Sequence, residues 1–397
     1  MTDNNAWQPP SGEPVSQRAP FAPPASPYAP PAGSPAGAPS APPAAGQYGQ
    51  PAPHQPGWTP PPKPGLIPLR PLGFGTLLGA SFQVIRRNPR PTFGISLLLN
   101  GLVIVLFIGV IGGVTAIAFG RAASATSADA DDIEAGAVGA ILLSALIPVA
   151  LSLLVTAVLQ GIISLEVSRA TIGEKLTVRG LWRLARGRVG ALIGWSAIVA
   201  AAVLVAIVVL ATIVTLLIVF GGDAGLVAGI ILGIVAGLGA AVLWAWLATK
   251  LSLVPSVLML ERLPLRRAVA RSWRLTSGYS YFWKTLGTQL LVYVIVQVAA
   301  QVVATPVSIL AAVGGATINP NGDMTASFVL IAVSYVLTGI VSLVFAALAA
   351  VAQSAVAALI YIDIRMRKEG LDLDLTRFVE ARQTGDIGVA NPYLTAS

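Results

Sequence analysis

The sequence predicts an all-α fold: a bundle of six transmembrane helices built as three repeats of a basic segment followed by a helical hairpin, with a disordered Pro-rich N-terminal tail. Three observations predict it. First, of 397 residues 55% are hydrophobic and only 11% charged, and the mean hydropathy is +0.77. A soluble domain carries about 25% charged residues, so this chain cannot cover its apolar surface in water and lipid is its expected solvent. Second, six apolar runs each exceed the ~20 residues that span hydrocarbon. Third, the connections between those runs alternate in charge, basic on one side and neutral or acidic on the other.

Residues 1–66 form the tail. Pro, Ala, Gly, Ser and Gln dominate it, with tracts such as Pro23-Pro24 and Pro60-Pro61-Pro62 and few charges. Proline removes backbone donors and favours extended polyproline II, and no apolar period is present. A basic stretch followed by an apolar core is lacking, so the segment does not read as a secretory signal. Trp7, Phe21, Tyr28, Tyr48 and Trp58 are spaced along it, as docking points for a protein partner or as part of a passive tail. The single histidine, His54, lies in this segment, and the chain has no cysteine. That leaves no disulfide framework, no thiolate metal site and no cofactor motif.

The spans are expected at 94–119, 136–165, 189–220, 225–258, 285–313 and 325–363, within a membrane domain over 67–370. Lipid offers the backbone no hydrogen bonds, so runs of this length must be helices. The second, fourth and sixth exceed the bilayer. The 34 residues of 225–258 reach about 50 Å against about 30 Å of hydrocarbon. They are therefore expected to kink or project from the membrane, with Lys250 and Pro255 marking where the fourth leaves it. A short C-terminal tail, 371–397, follows.

Orientation follows from charge. Loop 120–135 carries Arg121 against Asp129, Asp131, Asp132 and Glu134, and the loops at 221–224 and 314–324 carry Asp223 and Asp323 alone. The opposite connections hold Arg86, Arg87 and Arg90, then Arg179, Arg183, Arg186 and Arg188, then Arg262, Arg266, Arg267, Arg271, Arg274 and Lys284. The positive-inside rule puts these, and both chain ends, in the cytoplasm of a bacterial-type inner (cell) membrane. The net charge of +8 thus follows topology and does not indicate nucleic acid.

The basic segments repeat. Phe82-Gln83-Val84, Trp182-Arg183-Leu184 and Trp273-Arg274-Leu275 can be superposed, and Gly94, Gly194 and Gly287 follow them at similar distances. Glu166, Glu261 and Asp363 each close a long apolar run near an arginine, Arg169, Arg262 or Arg365. These acids are expected to form ion pairs with those neighbours. In 263–275 apolar residues alternate with arginines, as in a helix lying at the lipid surface, where arginines meet anionic headgroups. Arg86, Arg87, Arg183, Arg186, Arg266, Arg267, Arg271 and Arg274 are the candidate lipid contacts.

Three stretches carry a family resemblance: Pro68-Leu-Arg-Pro-Leu-Gly-Phe-Gly-Thr-Leu-Leu-Gly-Ala-Ser-Phe-Gln-Val-Ile-Arg-Arg-Asn-Pro89, Val257-Leu-Met-Leu-Glu-Arg-Leu-Pro-Leu-Arg-Arg-Ala-Val-Ala-Arg-Ser-Trp-Arg-Leu275 and Leu359-Ile-Tyr-Ile-Asp-Ile-Arg-Met-Arg-Lys-Glu-Gly-Leu371. Over about 67–375 the chain resembles actinobacterial membrane proteins related to the membrane domain of glycerophosphoryl diester phosphodiesterases. In members that are enzymes, a separate metal-dependent barrel performs hydrolysis. Nothing in this sequence looks like that barrel, so the resemblance implies fold and location without activity.

Inside the membrane, Thr285, Gln289, Tyr293, Gln297, Gln301 and Thr305 recur every four residues on the fifth span. Amides in lipid need partners, with Asn100, Gln160 and Gln353 as candidates. The stripe is either a path for a solute or lipid headgroup, or a set of interhelical contacts; no ionisable residue sits mid-membrane to couple transport. Gly225, Gly229, Gly233 and Gly237 on the fourth span form a small-residue groove for close packing, within the bundle or between subunits. The reading at this stage is a non-enzymatic scaffold or anchor, with transport or lipid handling along the stripe as the alternative.

Overall fold

A computed structural model of the chain describes residues 65–124, 130–318, 324–386 and 388–394. Residues 1–64 of the expected disordered tail, Asp129 and Asp323 lie outside the described residues. All described elements belong to one compact unit within residues 59–397, and among the described residues every regular element is a helix.

The three-repeat plan is present in full. Each unit opens with a short amphipathic helix: α1 (Phe74–Arg87), α4 (Val178–Ala185) or α8 (Leu265–Leu275). Each continues into a hairpin of long helices. The first pairs α2 (Ile95–Ala123), entered through a π turn at Arg90–Gly94, with α3 (Ala130–Thr171). The second pairs α5 (Val189–Phe220) with α6 (Gly222–Leu251) and its continuation α7 (Val254–Leu260), and the third pairs α9 (Tyr279–Ile318) with α10 (Met324–Glu369). A last helix, α11 (Leu371–Gln383), follows Gly370, whose φ of +67° is left-handed and therefore suits glycine.

Six of these helices are long and apolar enough to cross a membrane, so the chain is a multi-pass integral membrane protein. Several run further than the apolar pattern predicts: α3 spans 130–171 where 136–165 was expected, and α9 begins at Tyr279. The added turns are more polar, and a helix keeps its hydrogen bonds outside hydrocarbon when its side chains find protein to pack on. The break expected near Lys250 and Pro255 falls at Ser252–Leu253. Pro255 stands in the first turn of α7, where its missing N–H removes no helical bond.

Packing is uneven along the bundle axis. In five spans at most 12% of the most apolar stretch is buried against protein, and in the sixth 56%. At the basic end the long helices project into a compact base. There residues 161–168 of α3, all of α7 and residues 354–366 of α10 are buried. Leu159, Ile163, Leu192, Leu258, Leu359 and Tyr361 fill its centre. The amphipathic helices dock on it through one face each: Leu77, Ala80, Ser81 and Val84 on α1; Leu181 and Ala185 on α4; Ala268, Ser272 and Leu275 on α8. In the register read from sequence, Ser81, Leu181 and Ser272 occupy the same place, and all three point inward. Trp182 and Trp273 beside them point out, at 56% and 39% exposure.

Candidate functional site

The three acids that close the long helices are all buried in the base, but none pairs with the arginine expected from sequence. Glu261 accepts from Arg271 Nε at 3.1–3.2 Å and from Tyr361 Oη at 2.8 Å. Arg365 donates to Tyr361 Oη at 2.9 Å and to Glu369 at 2.8 Å, and Arg271 donates to Glu369 at 2.7 Å. Two cations, two acids and a phenol thus close a ring that joins α7, α8 and α10. Arg262 takes no part. It is exposed, in a left-handed conformation with φ of 56°.

Asp363 accepts from Lys284 at 2.5 Å, from Arg367 Nε at 3.0 Å and from the Leu72 amide at 2.7 Å. Leu72 O in turn accepts from Arg367 at 2.7 Å and Lys284 at 3.2 Å. Glu166 is the exception. Its Oε1 accepts from Asn88 at 2.9 Å, while Oε2 is buried without a partner. Arg169, three from Glu166, pairs with Glu174 instead, and Arg262 lies past the end of α7. For Asp363 the expectation failed because residues two apart leave a helix in different directions. Arg365, two after Asp363, therefore reaches Glu261, and Arg367, four after, reaches Asp363.

This sorting divides the candidate lipid contacts. Arg87 donates to the carbonyls of Ala170 and Glu174 and holds α1 to α3, and Arg271 belongs to the Glu261 ring. Both are engaged inside the base. Arg86, Arg183, Arg186, Arg266, Arg267 and Arg274 are exposed, and no side-chain hydrogen bond or ion pair engages them among the described residues.

Two straps across the base went unread in the sequence. Residues 66–72, with Leu66, Ile67, Leu69 and Leu72 buried, run from the end of α3 (Leu66 N to Ala170 O, 2.8 Å) to Asp363 on α10. At the other chain end Tyr393 is buried. Its hydroxyl donates to Ser168 O at 3.0 Å, and its carbonyl accepts from Arg365 at 3.0 Å. Burial pushes that hydroxyl's pKa well above the usual tyrosine value. A lone tyrosine in a polar tail has no period to signal it; the apolar spacing of 66–72 was the only available sign of the first strap.

The polar stripe on α9 divides by depth. Thr285 is buried, and Gln289 sits against α10, where Gln353 donates to its carbonyl at 3.1 Å. Tyr293, Gln297, Gln301 and Thr305 are exposed. Among the described residues the Gln297 and Gln301 amides make no hydrogen bond. The other candidate partners turn elsewhere: Asn100 to Ser96 on its own helix, Gln160 to the Ser252 carbonyl at the α6–α7 break. The glycine groove divides too. A β-carbon on Gly225 would run into the Leu217 carbonyl and one on Gly229 would stand 3.0 Å from the Ile218 side chain, whereas one on Gly237 would meet nothing within 4 Å among the described residues.

Chemically, the buried acids are held as ion pairs or amide acceptors. Among the described residues no three His, Cys, Asp or Glu side chains gather as metal ligands. The two best-formed cavities, of about 230 and 440 Å³, lie beside α11 around Phe378 and Arg382 and away from the stripe. No family model, no curated protein and no solved structure matches the chain.

Proposed function

We propose that this chain is a non-enzymatic membrane scaffold or anchor whose basic end rests on anionic lipid headgroups in the cytoplasmic leaflet. The sorting of cations carries this reading. Of the buried acids of the base, Glu261 and Asp363 are engaged by Lys284, Arg271, Arg365 and Arg367. The outward arginines on or beside α1, α4 and α8 form no ion pair among the described residues, and Trp182 and Trp273 stand exposed among them. Exposed tryptophan beside unpaired arginine suits the headgroup layer, where each cation gains about 1 kcal/mol from anionic lipid. On this reading both termini are cytoplasmic, the Pro-rich tail recruits a protein partner, and the resemblance to phosphodiesterase membrane domains extends to the membrane part alone.

The test is thermal unfolding of the full chain in nanodiscs of phosphatidylcholine or of phosphatidylglycerol. Anionic lipid is expected to raise the midpoint, and the triple variant Arg266→Gln, Arg267→Gln, Arg274→Gln is expected to lose most of that gain. Equal midpoints in both lipids would sink the proposal. The second reading, transport or lipid handling along α9, is supported by the exposure of Gln297 and Gln301. Substrate-dependent protection of those positions from labelling would favour it.

A further inference from the structure

We infer that the exposed polar face of α9 is a contact for a second copy of this chain, formed across a two-fold axis near Gln297 and Gln301. Depth comes first. Lys284, bound to Asp363, marks the level of the base. At 1.5 Å per residue Gln297 stands about 20 Å and Gln301 about 26 Å further along the helix, which puts both within a hydrocarbon layer of about 30 Å, Gln301 toward its far side. Their surroundings are apolar: Leu290, Val294, Val298 and Val302 are exposed on the same helix.

Direction comes second. α9 is buried along Thr285, Thr288, Val292 and Val296. Successive residues turn by about 100°, so Gln297 and Gln301 point at least that far from Val296, away from α10. Neither amide has a hydrogen-bond partner among the described residues. Lipid tails supply none, and an amide in hydrocarbon is costly until it is paired.

The chemistry of the face selects the occupant. A glutamine amide both donates and accepts, so it pairs with an identical group from a symmetry-related helix, and a two-fold interface sets the same patch on both sides. Ala300 and Ala304 each stand three residues after a glutamine, with Thr305 and Ser308 further along the helix. Small residues at that spacing let two helix backbones approach until the amides meet. A water-filled path would place the same amides against solvent, which the experiment separates.

The chain has no cysteine, so single cysteines report cleanly. Gln297→Cys, Gln301→Cys and the control Val302→Cys, at the same depth on another face, are oxidised in native membranes. The expected result is a disulfide-linked dimer at 297 or 301, at least fivefold above 302. Its absence, or equal linking at all three, overturns the inference. So does rapid reaction of 297 and 301 with a membrane-impermeant maleimide, which marks a hydrated path. In nanodiscs the double variant Gln297→Leu, Gln301→Leu is expected to weaken dimerisation at least tenfold while unfolding as the parent does. A dimer that persists unchanged overturns the inference as well.

Discussion

The base and the spans of this protein are made from the same helices yet held together by different means. In the base, α3, α7 and α10 bury their whole circumference, three acids are enclosed, and both described ends of the chain are strapped across the top of the packing. In the spans, five of six helices bury at most 12% of their most apolar stretch inside the protein. The difference follows from the solvent. Lipid tails are as apolar as leucine, so the spans gain little by touching one another. The base lies beyond the most apolar stretches, and there packing is driven by apolar burial and its arrangement fixed by directional polar contacts. Stability and specificity therefore concentrate in the base.

Substitutions can break or sharpen this contrast, each followed by equilibrium unfolding of the purified chain in a lipid mimetic. The largest effect is expected from Glu261→Ala, which removes the buried one of the two acids that Arg365 and Arg271 share and leaves them Glu369 alone. Removing one partner of such a buried pair costs about 3–5 kcal/mol. Next is Tyr393→Ala, which empties a buried aromatic site and should cost about 3 kcal/mol. Tyr393→Phe loses only the bond to Ser168 O, about 1 kcal/mol. Because burial raises the Tyr393 hydroxyl above its ordinary value of 10.0, the folded state holds that proton more tightly than the unfolded state. Its contribution is complete below that value and lost as pH climbs above it. The Phe variant should lack that share of the alkaline loss, and an unchanged profile would detach Tyr393 from the base.

Smaller effects sharpen the comparison. Glu166→Gln keeps the acceptor for Asn88 and removes a charge with no cation bonded to it, so a change within about 1 kcal/mol is expected. A loss as large as that of Glu261→Ala would mean the first repeat is held as the third is. Smallest of all, Leu238→Ala on α6, 66% exposed among the spans, should stay within about 0.5 kcal/mol. A larger loss there would reveal protein, not lipid, against that face.

Much of the architecture was legible because it depends on one-dimensional quantities. Residues 189–220 were read to the residue, since an unbroken apolar run ends where hydrocarbon does. The repeat was legible from three aromatic triplets, and the inward turn of Ser81, Leu181 and Ser272 follows that register. The ion pairs were misread because proximity in sequence was taken for proximity in space. Arg271 lies ten residues from Glu261, and Lys284 lies 79 from Asp363. The stripe on α9 was legible as a face, but its division into a packed lower half and an open upper half was not.

By itself, then, the sequence determined solvent, helix number, repeat and the side on which positive charge gathers. Each is a sum or period along the chain, and lipid enforces it locally through hydrogen bonding and transfer energy. Only the tertiary structure decided which cation meets which acid, which arginines remain outward, and where Tyr393 and Leu72 anchor the base. Those depend on helices that meet in space after long separations in the chain, and no periodicity along one helix encodes the direction in which its neighbour will lie.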